Sequence, residues 1–183
     1  MILPIYLYGS EVLREKAKEV DVKDKAHIEK LLIDMNETLE KSDGCGLAAP
    51  QVGVSERVII VDGRGLSDVY DYLKDFKRTM INPVILEDSP KTNEYSEGCL
   101  SIPGIYADVK RTSAIKVEYY NENLEKVVED FDKFACRMIL HEIDHIDGIL
   151  FIDRLAPIRR KMLSKKLVNI SQGKVNTNYK TKR

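Results

Sequence analysis

Ile28, Leu31, Leu32, Met35 and Leu39 recur at three- and four-residue intervals, which predicts an amphipathic helix over residues 24–42. Asp43-Gly44 and Gly46 end it, because glycine disfavours continuing the helix. The apolar run within Arg57-Val-Ile-Ile-Val-Asp62 reads as a strand. So do residues 80–87, 114–121 and 125–130, with Asn121-Glu-Asn123 as the turn between the last two. A second helix is expected over residues 132–147, with Asp132 as N-cap and Gly148 as its stop. A third follows Pro157, a residue tolerated in a first helical turn, and Leu163, Leu167 and Ile170 give it an apolar face. A helix, a run of strands and then helices argues for an α+β fold over an alternating parallel one.

A chain of 183 residues suits a single domain spanning 1–183, and no internal repeat or low-complexity tract divides it. No apolar run approaches the roughly 20 residues that cross a bilayer, so no membrane partner is expected. The opening Met1-Ile-Leu-Pro-Ile-Tyr-Leu-Tyr-Gly9 is short and lacks a basic leader, so it does not read as a signal peptide and a cytoplasmic location is expected. Three cysteines, Cys45, Cys99 and Cys136, do not describe a disulfide framework and leave thiols free for metal or chemistry. Charge is uneven along the chain. Residues 154–183 hold ten Lys or Arg and no acid, although the whole chain has a net charge of -1. Such a stretch is either a solvated helix with a loose basic tail, from about residue 172, or a surface for a polyanion such as ribosomal RNA.

His141-Glu-Ile-Asp-His145 lies inside the second predicted helix. Residues four apart differ by only about 40° around a helix axis, so both imidazoles can reach one cation. Phe134 and Met138 share the His141 face and form an apolar wall. Glu142 is about 100° round from His141, placed to reach water at the metal without being a ligand. The five-residue pattern alone also occurs in ordinary helices. A third ligand has to be found, and two familiar continuations fail. Phe151 stands where one zinc-peptidase pattern has a histidine, and no Glu follows Gly148. Cys99, within Glu97-Gly-Cys-Leu-Ser101, is the best candidate, with Asp153 as the downstream alternative and Cys45 as a ligand that would close a structural site. Cys136, five residues from His141, points away from that face.

Three segments together resemble one family. Gly44-Cys-Gly-Leu-Ala-Ala-Pro-Gln51, Glu97-Gly-Cys-Leu-Ser101 and His141-Glu-Ile-Asp-His145-Ile-Asp-Gly148 are similar, in order and spacing, to the signature motifs of bacterial peptide deformylases. The resemblance implies mostly antiparallel strands packed around a central metal-binding helix that carries the His-Glu-x-x-His motif, with a C-terminal helix. It implies one divalent metal ion per chain, held by Cys99, His141 and His145: Fe2+ in the cell, with Zn2+, Ni2+ or Co2+ in preparations. Glu142 is then the proton acceptor, and the Gln51 side chain and Leu100 amide steady the oxyanion. Gly46 pairs with the substrate backbone, and Cys45, Phe134 and Met138 line a methionine pocket. At Cys45 the family more often has an aliphatic residue. The implied reaction removes the formyl group from formyl-Met nascent peptides, with the ribosome as a further partner through the basic C-terminal segment. Asp144, Asp147 and Glu97 are candidates to orient the imidazoles, with Arg111 paired to one of them. The rival readings are a general metallopeptidase and a purely structural metal site.

Overall fold

A computed structural model describes all 183 residues. The chain begins with a short strand, β1 (Ile5–Tyr6), and a 3-10 turn. Helix α1 (Lys25–Glu40) follows, and the Asp24 carboxylate accepts from the His27 amide at its N-terminus. Next come β2 (Gly46–Ala48), β3 (Val58–Asp62) and β4 (Lys77–Asp88). Strands β5 (Thr92–Cys99) and β6 (Ile102–Thr112) form a hairpin of their own, and β7 (Ala114–Tyr120) and β8 (Lys126–Asp132) complete the main sheet. Helix α2 (Lys133–Ile146), helix α3 (Pro157–Ser171) and β9 (Thr181–Lys182) close the chain. The main sheet is antiparallel in the order β2-β3-β4-β7-β8, while β1 and β9 pair in parallel. The fold is α+β with three α-helices. No helix is long and apolar enough to cross a membrane.

The apolar run in β3 has a direct structural cause. Side chains alternate across a strand, and here both faces are covered. Ile59 and Val61 join one core with Met138, Ile139 and Ile143 of α2, while Val58 and Ile60 join a second with Ile28, Leu31 and Met35 of α1. A third core sets Ile105, Ala107 and Val109 of β6 against Phe151, Leu167 and Ile170. Helix α2 packs against β2, β3, β7 and β8, and every residue from Ala135 to Ile146 is buried. A helix buried all round that still carries Arg137, His141, Glu142, Asp144 and His145 must supply each of them with a partner or a use.

Two expectations are corrected. Asp132 precedes α2, but its side chain makes no capping hydrogen bond, and Lys133 follows with φ 52°. The chain therefore turns sharply out of β8 into the helix without an Asp cap. The segment after residue 172 is not a loose tail: Ile5 and Leu7 amides donate to the carbonyls of Lys180 and Lys182 at 2.9 and 2.8 Å. Gly148 does end α2, with φ 76°. A Cβ there would stand 2.6 Å from the Arg14 carbonyl oxygen, so glycine is needed for conformation and for space.

Candidate metal centre

Helix α2 sets His141 and His145 one turn apart, with ring centroids separated by 5.1 Å. The β5–β6 hairpin brings Cys99 to them from the other side. One ligand atom from each of Cys99, His141 and His145 lies within 4.8 Å of the other two. Cys99 Sγ is 3.3 Å from His145 Nε2. His141 Nδ1 hydrogen-bonds to Glu97 Oε1 at 2.9 Å, which leaves Nε2 as the ring nitrogen available to a ligand. Phe151, in the slot that cannot ligate, stacks on the His141 ring at 5.9 Å.

The two downstream and upstream alternatives lie elsewhere. Asp153 is held by Arg14 and accepts from the Leu150 amide at 2.9 Å. Cys45 lines the same cavity but is not in the three-residue cluster. Burial pushes its thiol up to about 12, with the Glu142 charge adding to the shift. Cys136 is packed in the core between α2 and the main sheet.

Glu142 reaches back toward β2. A Cβ on Gly46 would stand 2.6 Å from Glu142 Oε1, so the missing side chain is what admits the carboxylate. Glu142 Oε2 is buried without a protein partner. Burial raises this carboxyl to about 7, His141 draws it down, and Glu97 pushes it up. Gln51 is fixed at one end, where its Oε1 accepts from the Ala48 amide at 2.9 Å. Its Nε2 lies 3.6 Å from Cys99 Sγ and 3.2 Å from Ser101 Oγ. Leu100 follows Cys99 at the hairpin turn, and its carbonyl accepts from the Tyr179 hydroxyl at 2.8 Å. Phe134 and Met138 also line the cavity, whose volume is about 570 Å3. Phe134 is steadied by stacking on Tyr70 with centroids 5.0 Å apart.

Behind the histidines lies a buried charge network. Arg111 grips Glu97 through two hydrogen bonds of 2.7 and 2.9 Å and reaches Asp144 at 2.6 Å. Arg154 closes on Asp144 with bonds of 2.6 and 2.7 Å. Arg137 donates to Glu97 Oε2 and to the Val109 carbonyl, both at 2.7 Å. Burial opposes ionisation of Glu97, but hydrogen bonds from His141 and Arg111 outweigh it and hold the carboxyl well below its usual range. Burial, with the charges on His141 and Arg111 adding to it, drives the pKa of His145 well below its usual value. Glu97, Asp144 and Arg111 thus join around His141, whereas Asp147 pairs with Arg57 at 2.9 Å, away from it. Sequence reasoning missed Arg137, Arg154 and Tyr179. Arg137 sits four residues before His141 on one helix face, a signal that was present.

A sequence profile described as polypeptide deformylase matches residues 2–161. The chain belongs to the polypeptide deformylase family. A peptide deformylase of Christiangramia forsetii is 43% identical over 187 residues, covering 98% of this chain and 95% of that protein. One from Chlorobium phaeobacteroides is 48% identical over 180 residues, covering 98% and 94%. Among solved structures, the family member from Thermus thermophilus superposes with a TM-score of 0.83 at 37% identity, covering 94% of this chain and 99% of that one. A Plasmodium falciparum peptide deformylase reaches 0.82 at 32% identity, covering 92% and 95%.

Proposed function

We propose that this chain hydrolyses the N-terminal formyl group of formyl-methionyl nascent polypeptides and releases formate. The observation that carries the reading is a sulfur and two imidazoles within 4.8 Å of one another, with a buried carboxylate beside them, in a cavity of about 570 Å3. Family membership agrees with it.

The donor set fits a divalent transition metal. Thiolate and imidazole ligands at about 2.3 and 2.1 Å from a tetrahedral cation lie roughly 3.3–3.8 Å apart, and Cys99 and His145 already stand at 3.3 Å. Cys99 Sγ, His141 Nε2 and His145 Nε2 would hold one ion per chain, Fe2+ in the cell, with Zn2+, Ni2+ or Co2+ able to replace it. Such a cation supplies a Lewis acid that brings the ionisation of water near neutral pH. Every other part of the reaction falls to side chains and backbone. Glu142 accepts the proton of the attacking water and returns it to the leaving amine. Gln51 Nε2 and the Leu100 amide donate to the oxygen of the formyl group as charge develops on it. Gly46 presents its backbone to the peptide, and Cys45, Phe134 and Met138 line the methionine pocket. Glu97 fixes the His141 ring, and Arg111 and Arg137 fix Glu97.

In this reading α2 is the metal-binding centre of one catalytic domain, residues 1–183, with the antiparallel strands arranged about it. The enzyme acts where nascent chains emerge, in the cytoplasm. The exposed Arg159, Arg160 and Lys161 of α3 offer a ribosome contact. Reversing their charge should weaken ribosome association, and unchanged, salt-independent binding would dismiss that contact. The reaction itself is tested with formyl-, acetyl- and unblocked Met-Ala-Ser. Turnover of the formylated peptide alone is expected, and equal turnover of all three refutes the proposal.

A further inference from the structure

The family match ends at residue 161, yet the chain beyond it returns to the same cavity. Asn176, Thr177, Asn178 and Tyr179 line it together with Cys99 and Glu142. This return is anchored at several points. After the segment, β9 pairs with β1, and the Ile5 and Leu7 amides donate to the carbonyls of Lys180 and Lys182. Arg183 donates to the Gln172 carbonyl at 3.1 Å and ties the far end to its origin. Thr177 Oγ1 donates to the Tyr179 carbonyl at 2.7 Å and sets the bend between them.

Tyr179 is the fastener on the side of the reaction. Its hydroxyl donates to the Leu100 carbonyl at 2.8 Å, and its ring packs beside Leu100 on the core that contains α1. The next carbonyl, of Ser101, accepts from the Tyr8 amide at 2.9 Å. The turn that follows Cys99 is therefore held by both ends of the chain, and the two ends are held to each other.

A cavity of about 570 Å3 is in the range that takes a drug-sized ligand, more than a formyl-methionyl unit alone. The substrate is a polypeptide, so its second and third residues must leave along one of the walls. Asn176 and Asn178 are exposed along this one. Each amide side chain offers a donor and an acceptor, the pairing that the backbone of an extended peptide requires.

We propose that Asn176–Tyr179 is a substrate-binding strap that contacts the peptide beyond its formyl-methionyl end, fastened by Tyr179 to the carbonyl of Leu100. The proposal rests on the deformylase reading of the site and assigns the basic tail a second use.

Kinetics on two substrates test it: formyl-Met-Ala-Ser, which reaches the strap, and formyl-Met amide, which does not. In the double variant Asn176→Ala/Asn178→Ala the ratio of kcat/KM for the tripeptide to that for the amide should fall about three- to tenfold, the worth of one net hydrogen bond. The loss should lie in KM. Both asparagines are exposed, so the double variant should keep the wild-type Tm and decides the matter. An unchanged ratio, whether both substrates keep their rates or lose them by one factor, overturns the strap. A wild-type chain that releases formate from neither substrate overturns the reading beneath it, and the strap with it.

Discussion

Gly46→Ala isolates the contact on which the proposed proton transfer depends. An added Cβ would lie 2.6 Å from Glu142 Oε1, 3.0 Å from Cδ and 3.1 Å from Cγ. The carboxylate must retreat by about 0.8 Å to reach ordinary contact. Glu142 is only 4% exposed, so the surrounding helix and sheet leave it little room. Gly46 is not among the left-handed glycines, and alanine is compatible with its strand backbone. The perturbation therefore falls on the carboxylate. Misplacing a reacting group by about 1 Å costs on the order of 10²-fold in rate. Formate release from formyl-Met-Ala-Ser should lose about that factor in kcat, while metal content stays at the wild-type value because Cys99, His141 and His145 are untouched. A kcat within twofold of wild type would show that the carboxylate does not depend on the missing Cβ. A loss of rate that merely follows a loss of metal would contradict the prediction as well.

Other perturbations reach the same structure from different sides. Glu97→Gln removes the charge shared by Arg111, Arg137 and His141, and breaking a buried ion pair costs about 3–5 kcal/mol. Urea unfolding should show that loss, and metal affinity should fall about 10- to 100-fold, whereas wild-type stability would speak against a structural role for the network. Glu142→Gln should keep its metal and lose hydrolysis; a near-normal rate contradicts its assignment as proton acceptor. Burial lifts the Cys136 thiol to about 12. A thiol raised that far is almost wholly protonated at pH 8, and the thiolate is the species that alkylates. Alkylation of Cys136 at pH 8 should thus be more than about 100-fold slower in the native chain than in urea, and equal rates would contradict its placement.

Elements whose buried side chains are apolar were legible from periodicity, whereas α2, with five buried polar side chains, was legible from its glycine stop and the spacing of its histidines. Helix α1 shows its Ile28–Leu39 stripe, and β3 shows a continuous run because each of its faces meets a different helix. The β5–β6 hairpin escaped for the opposite reason. Its inward positions include Glu97 and Arg111, which are buried by pairing with each other and with α2, so apolar alternation breaks down where the site is built. On β6 the alternation survives at Ile105, Ala107 and Val109, but Pro103 and Gly104 interrupt its start. The Cys-His-His cluster was legible from motif order and helical spacing, although only the folded hairpin brings residue 99 to residue 145. Tyr179 carried no local signal. Its partner is the carbonyl of Leu100, and a contact that depends on backbone far away in the chain leaves no trace in composition or periodicity.

The most direct test of the account is the coordination of the metal in protein purified without oxygen, read by X-ray absorption at the edge of the bound ion. One cation per chain is predicted, with one sulfur neighbour at about 2.3 Å and two nitrogens at about 2.0–2.1 Å, completed by exchangeable solvent. A shell without sulfur, or one closed by a fourth protein ligand, would contradict it.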